Sequence, residues 1–207
     1  MDITIIGTGN MARGIASRAL AGGNSVTLLG HEAGKAEALA GELSGDARAG
    51  SVGDALAGDV VVLAIPYGAI DDVLGHYGDQ LSGKTVVDIT NPVDFSSFTP
   101  LSVDAGSAAA EIAQKAPGAR VVKAFNTTFA GTLAAGDVAG QPLDVFLASD
   151  DEDAKANVRE LVESGGLRAV DAGALARAHE LEALGYLHMA VQNGLGTGFA
   201  SAVKIVA

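Results

Sequence analysis

The sequence predicts an α/β protein: a doubly wound parallel sheet followed by a short C-terminal helical extension. Three observations lead there. The apolar run Asp2 to Ile6 ends in a glycine turn, and the turn opens directly into an amphipathic stretch from Met11 to Leu20. A second run, Asp59 to Ile65, is β-branched almost throughout, the pattern of a strand buried on both faces, as in parallel sheets. Strand-like and helix-like segments then alternate along most of the chain, which specifies parallel strands joined by crossover helices.

In order, the first unit is strand, turn, helix, with Gly7, Gly9 and Ala12 in the small-residue positions of a G-x-G-x-x-A fingerprint. Gly7 permits the turn, Gly9 lets a pyrophosphate approach the backbone, and Ala12 lets helix and strand pack closely, as a Rossmann unit requires. Ser25 to Leu29 is a second buried strand ending at Gly30-His31, and a helix follows from Glu32 to Leu43 with Ala36, Leu39, Ala40 and Leu43 on its apolar face. Ala47 to Ala49 is a short third strand, and Ser51 is positioned to cap a helical turn through Leu56. Pro66 stops the Asp59–Ile65 strand before a helix from Ala69 to Leu81. Lys84 to Ile89 is the fifth strand, ended by Thr90-Asn91-Pro92, and the long polar segment from Val93 to Ser107 has the length of a lid or binding loop.

A helix from Ala108 to Ala116 closes at Pro117-Gly118, and Arg120 to Ala124 is the sixth strand, with Phe125-Asn126-Thr127-Thr128 as its carboxyl-end turn. Leu143 to Ala148 is a further strand. The acids from Asp150 to Asp153 start a helix through Glu163, where they favour the helix dipole, so they read as a cap rather than a metal site. Leu167 to Val170 is the last strand. From Ala174 the remainder reads as helix, broken near Asn193-Gly194 and Gly196 to Gly198. The natural division is a dinucleotide-binding domain over 1–172 and a helical segment over 173–207 that covers the site and forms a dimer. Apolar positions Leu181, Leu184, Leu187 and Val191 are more than one small sheet covers.

Composition excludes several classes. With 25 acids against 13 bases and a net charge of −12, a nucleic-acid partner is disfavoured. There is no apolar run of about 18 residues and no basic region ahead of an apolar one, so the expectation is a soluble, cytoplasmic protein that neither crosses a membrane nor carries a signal peptide. Cysteine is absent and the four His show no metal-ligand spacing, so no metal site is expected.

In an open parallel sheet ligands bind beyond the carboxyl ends of the strands. Those ends carry Gly7, Thr8, Gly9, Asn10 and Met11; Gly30-His31 with Lys35; Ile65-Pro66-Tyr67; Asn91-Pro92; and Phe125-Asn126. Pro66 and Pro92 stiffen the chain where a flat ring would lie. The second strand lacks the acid at its tip that bonds the ribose 2′-OH of NAD, and His31 and Lys35 are within reach of a 2′-phosphate. NADP is therefore favoured over NAD, with Glu32 beside them weighing against it.

With Gly7 to Gly14, Lys35 to Ala38, Leu63 to Pro66, Val122 to Thr127, Asp150-Asp151-Glu152 and Gly166 to Gly173 in view, the chain resembles the coenzyme F420-dependent NADP reductases, nearly end to end. The wider group includes the cytosolic oxidoreductase domain of the Steap metalloreductases. The resemblance implies hydride transfer between NADP(H) and the deazaflavin F420 in a homodimer. The nicotinamide would lie against Ile65-Pro66 and Asn91-Pro92, and the deazaflavin would be covered by the Phe125 turn and the C-terminal helices. NADP-preferring members carry Ser-Arg-Arg where this chain has Gly30-His31-Glu32. Lys123, Arg177 and Lys204 are the candidates to hold the phosphate and oligoglutamate tail of F420.

Such a transfer needs two rings held face to face and no acid–base residue. Other readings remain open: an NADPH-dependent reductase of a flavin, a ferric chelate or a small carbonyl or imine compound, or a non-enzymatic NADP(H) sensor. A carbonyl or imine reductase needs a proton donor, for which His179, Tyr186 and His188 are candidates. Gly194, Gly196 and Gly198 would either lie across the acceptor ring or merely break the terminal helix.

Overall fold

The computed structural model describes residues 1–206, the side chain of Ala33 excepted. Its elements in chain order are β1 (Asp2–Ile6), α1 (Asn10–Ala21), β2 (Ser25–Gly30), α2 (Ala33–Glu42), β3 (Ala47–Ser51), β4 (Val60–Leu63), α3 (Ile70–Tyr77), β5 (Thr85–Asp88), β6 (Val93–Asp94) and β7 (Thr99–Pro100). They continue with α4 (Ala108–Lys115), β8 (Arg120–Lys123), α5 (Ala130–Ala135), β9 (Asp137–Val138), β10 (Gln141–Pro142), β11 (Asp144–Ala148), α6 (Glu152–Ser164), β12 (Arg168–Gly173), α7 (Ala178–Ala190) and α8 (Gln192–Leu195).

Eight strands form the main sheet in the order β12-β11-β8-β5-β4-β1-β2-β3. The six from β3 to β8 are parallel, with β1 between β2 and β4, so the strand order reverses beside β1. That reversal opens the crevice in which a doubly wound fold binds its ligand. Strand residues alternate between two cores. Ile3, Ile5, Val62 and Val87 pack under α1, α5 and α6 on one face. Ile6, Val61, Leu63 and Val86 pack under α3 and α4 on the other. Helix α1 buries Ala12, Ile15, Ala16, Ala19 and Leu20, the spacing of one helical face.

Several elements differ from expectation. The parallel sheet gains two strands of opposite sense: β11 and β12 are parallel to each other, and β11 meets β8 antiparallel at Ala148 and Lys123. The connection between β8 and β11 forms the six-residue helix α5 and the β9–β10 ribbon. No helix follows Ser51. Asp54 Oδ2 accepts the Ser51 N–H at 2.8 Å, and Gly53 at φ +104° turns the chain instead. The helix expected to run to Leu81 stops at Tyr77 and continues as a 3-10 turn over Gly78–Leu81. The Val93–Ser107 segment holds a small antiparallel ribbon, β6 on β7.

The C-terminal helix ends earlier than expected. It breaks at Val191, stops at Gly196, and the rest runs without helix back to the sheet. Ala202 packs on the first core and Val203 on Phe146 and Leu181. The end is fastened by Asp144, whose carboxylate accepts from Arg168 Nε at 2.7 Å, Lys204 Nζ at 3.0 Å and the Ile205 N–H at 2.8 Å. Among the described residues no helix is long and apolar enough to cross a membrane.

Candidate functional site

The turn after β1 is shaped by two glycines. Gly7 sits at φ +123°, and a Cβ there would lie 2.1 Å from the Ala64 carbonyl oxygen, so this position admits glycine alone. Gly9 begins α1 at φ −80° with no side-chain cap, and a Cβ there would point into open space. The first N–H groups of α1 therefore face outward unpaired with no acid in the first turn, which is the arrangement that receives an anion.

Beyond this turn a cavity of about 700 Å³ opens over the ends of β1, β4, β5 and β8. It brings together eight of the residues expected at the site: Gly9, Asn10, Met11, Ile65, Pro66, Tyr67, Asn91 and Asn126. Gly7 and Thr8 belong to the turn beneath it. His31 lies at the exposed end of β2, and Lys35 one turn into α2 is tied to Glu32 at 2.7 Å. Pro92 borders a separate cavity of about 400 Å³, beside α7 and the β6–β7 segment. Phe125 is only 1% exposed, held at φ +61° in the first core, so its turn reaches the cavity through Asn126 and Thr128 instead.

Four large apolar side chains of the wall were not named from the sequence. Phe95 comes from the ribbon loop and Phe129 from the start of α5, while Met189 on α7 and Phe199 arrive from the C-terminal segment. Phe199 meets Phe129 edge-on, ring centres 5.0 Å apart. Gly198 lines the cavity as well, whereas Gly194 and Gly196 do not. The signal for Phe129 was its place at the end of the Phe125–Thr128 turn. Nothing in the local sequence announces Phe199, which reaches the wall only because the tail turns back.

Asn91 and Asn126 are fixed by one another. Asn91 Nδ2 donates to the Asn126 carbonyl at 2.9 Å, and Asn126 Nδ2 donates to Asn91 Oδ1 at 2.9 Å and to the Leu181 carbonyl at 2.7 Å. Helix α7 presses onto this pair at Gly185, where a Cβ would come within 2.8 Å of Asn91 Oδ1 and of the Asn126 carbonyl. Asn126 Oδ1 and Thr90 Oγ1 are buried without a protein partner.

Tyr67 is the only ionisable side chain in the cavity wall among the described residues. Burial and the hydrogen bond it donates to Glu111 Oε2 at 2.6 Å push its phenol up to about 12. The three candidate proton donors stand elsewhere. His179 Nδ1 contacts the Gly106 carbonyl, and Tyr186 donates to the Phe98 carbonyl. His188 is buried, with Nδ1 at 3.1 Å from the Thr127 carbonyl and Nε2 at 2.9 Å from Ser201 Oγ. A carbonyl only accepts, which assigns a proton to Nδ1, while Ser201 Oγ donates to Gln192 Oε1 at 3.0 Å. Burial lowers the pKa of His188, in keeping with a neutral ring.

The three cations expected to hold a phosphate tail also lie outside the cavity. Lys123 is fully buried between Asp88 and Glu182, Arg177 pairs with Glu180 at the surface, and Lys204 is spent on Asp144. Lys123 is thus excluded as a ligand for a solvent-borne anion.

Comparison with known proteins agrees with this geometry. Residues 2–92 match the family model described as NADP oxidoreductase, coenzyme F420-dependent. The F420-dependent NADP reductase of Methanothermobacter thermautotrophicus is 33% identical over 200 residues, covering 88% of this chain and 85% of that protein. The metalloreductase STEAP3 of Rattus norvegicus is 30% identical over 88% of this chain, which spans 36% of that protein's length. The crystal structure of a candidate F420-dependent NADP reductase from Arthrobacter sp. FB24 superposes with a TM-score of 0.88, at 28% identity over 99% of both chains. The chain belongs to the F420-dependent NADP reductase family of oxidoreductases.

Proposed function

We propose that this protein transfers a hydride between NADP(H) and coenzyme F420, directly from ring to ring, in the cytoplasm. One observation carries the reading: an apolar cavity at the sheet's crevice whose wall, among the described residues, holds no carboxylate, imidazole or cation. A reaction that needs no proton from the protein at the transfer step fits such a wall, because its catalysis lies in proximity and orientation. The residues fit a dinucleotide. The free N–H groups at the start of α1 and the open space at Gly9 suit a pyrophosphate. Pro66, Tyr67 and the Asn91–Asn126 pair bound the place for a flat ring, and His31 and Lys35, at the end of β2 and the start of α2, are the groups assigned to a 2′-phosphate. Phe95, Phe129 and Phe199 give apolar cover for a second ring.

The division at residue 172 belongs to the same proposal, with the segment after it serving as cover for the site and as the contact in a homodimer. A carbonyl or imine acceptor has one observation in its favour: among the described residues, the Tyr67–Glu111 pair at the cavity's edge is the one place from which a proton could be relayed. The deciding experiment is a stopped-flow mix of NADPH-loaded protein with F420, FMN, ferric chelates and a cyclic imine in parallel, following the loss of NADPH absorbance. Rapid single-turnover oxidation by F420, with the others at least about a hundredfold slower, is the expected result. Turnover with the imine alone, abolished in Tyr67→Phe, would replace this reading with the second.

A further inference from the structure

Behind the cavity's rear wall lies a cluster of charges that ring-to-ring transfer does not use. Lys123, the last residue of β8, and Asp88, the last of β5, have fully buried side chains, and that of Glu182 on α7 is only 6% exposed. Lys123 Nζ donates to Asp88 Oδ2 at 2.8 Å, to Glu182 Oε1 at 2.7 Å and to the Thr90 carbonyl at 2.5 Å. Asp88 Oδ1 accepts the Thr90 N–H at 2.8 Å, so both backbone groups of Thr90 are gripped by the cluster. Glu182 Oε1 also accepts the Ala108 N–H at 3.0 Å, at the start of α4. Thr90 and Asn91 line the cavity, and Gly185, nearly one turn beyond Glu182, packs on Asn91 and Asn126.

Two carboxylates against one ammonium leave a formal excess of one negative charge, with Asp88 and Lys123 fully buried and Glu182 bordering the second cavity. Such a cluster is a costly way to stabilise a core, since apolar residues of similar volume commonly do as well. Burial, aided by the nearby Asp88, raises the pKa of Glu182 above the usual carboxylate range, and the adjacent Lys123 offsets only part of that.

We propose that the Asp88–Lys123–Glu182 cluster is a positioning and charge-setting device for the bound nicotinamide, with Glu182 on α7 as its third member. It holds Thr90 and Asn91 against the ring and favours the oxidised, positively charged ring over the neutral reduced one. The inference rests on the NADP(H) reading above. The physical reason is differential: a net negative charge behind the cavity wall attracts a cation and is indifferent to a neutral ring, so it alters the ratio of the two affinities. Removing the charge therefore moves the oxidised form's dissociation constant more than the reduced form's.

The test measures dissociation constants for NADP⁺ and NADPH by titration calorimetry on the full chain, in wild type, Glu182→Gln and Glu182→Asp. Glu182→Gln keeps the size and removes the charge, and is expected to weaken NADP⁺ relative to NADPH by about threefold or more. Glu182→Asp is expected to restore the ratio even where it lowers thermal stability. A folded Glu182→Gln protein whose two affinities are unchanged, or fall in step, overturns the proposal. Should that variant fail to fold, the neutral triple variant Asp88→Asn, Lys123→Met, Glu182→Gln, which leaves no buried charge unpaired, is expected to show the same change of ratio. Failure of both to fold assigns the cluster to core stability and overturns it too. Absence of any NADPH binding by the wild type would instead remove the proposed function on which the inference rests.

Discussion

Gly7 and Gly9 stand in one turn and are glycine for different reasons. At Gly7 the backbone is left-handed and a methyl group would collide with the Ala64 carbonyl, so the β1–β4 pairing itself depends on the missing side chain. At Gly9 the backbone suits any residue and a Cβ touches nothing. What a side chain would fill there is the space in front of the α1 N–H groups. The two positions therefore separate folding from binding. Gly9→Val is expected to melt within a few degrees of wild type while NADPH affinity falls about a hundredfold or more, some 2.7 kcal/mol. Calorimetric titration beside a thermal melt checks both halves, and undiminished affinity would remove the pyrophosphate from this turn. Lys35 makes a related point at the same scale: its partner within reach is Glu32, both groups are well exposed, and a surface pair of this kind is worth little. A 2′-phosphate would compete for Lys35 against a weak rival.

Among the elements, the C-terminal segment does most to complete the site. It leaves α8 at Gly196, carries Gly198 and Phe199 onto the cavity wall, and is fastened at both ends. Near α7 the fastening is Ser201 on His188 together with Thr197 on Gln192 Oε1 at 2.8 Å. At the far end it is Asp144. Burial raises the Asp144 carboxyl, but Arg168, the Ile205 N–H and Lys204 outweigh it and hold it at about 2, against an ordinary value of 3.8. The folded pKa is depressed, so this contribution, about 2 kcal/mol, is fully present above the ordinary value and is lost as pH falls from there toward the folded one. The segment should thus loosen between about pH 4 and pH 2. In Asp144→Asn it should be loose already at neutral pH, with trypsin cutting after Lys204 and amide exchange from 197 to 206 markedly faster. Unchanged protection in Asp144→Asn would mean that packing of Ala202 and Val203 holds the segment by itself.

For the whole molecule, the question is what covers α7. Leu181 is buried against Phe146 and Ala148, and Gly185 against the asparagine pair. On the opposite side Leu187, Val191 and Leu195 stand four residues apart and are 57%, 40% and 57% exposed. Helical spacing makes them one stripe, and an apolar stripe of this length on a chain of net charge −12 is what a second copy would cover. Leu187→Glu with Val191→Glu is expected to convert a dimer into a folded monomer, read by sedimentation velocity and a thermal melt. A wild-type monomer would overturn the proposed dimer and leave the stripe without an occupant.

The sequence by itself determined the architecture of the first six parallel strands. Except in the edge strand β3, residues at those positions repeat apolar and β-branched types that a parallel sheet with crossover helices buries. It also determined the glycine turn, because Gly7 and Gly9 act through their own backbone and immediate neighbours. The pairing of Asn91 with Asn126 was legible only as two strand ends, since hydrogen bonds between residues far apart in the chain leave no local pattern. Tertiary structure alone decided the rest. The reversal of β11 is one such feature, since only the fold sets Ala148 antiparallel against Lys123. Lys123 became a buried ion-pair partner, where the sequence offered a free cation, because β5 and α7 bring Asp88 and Glu182 to it. Phe199 reaches the cavity because a buried carboxylate at position 144, on an inner strand of the sheet, draws the end of the chain back across the molecule. Local sequence specifies periodicity and turn chemistry; which distant groups meet depends on where the fold carries each segment.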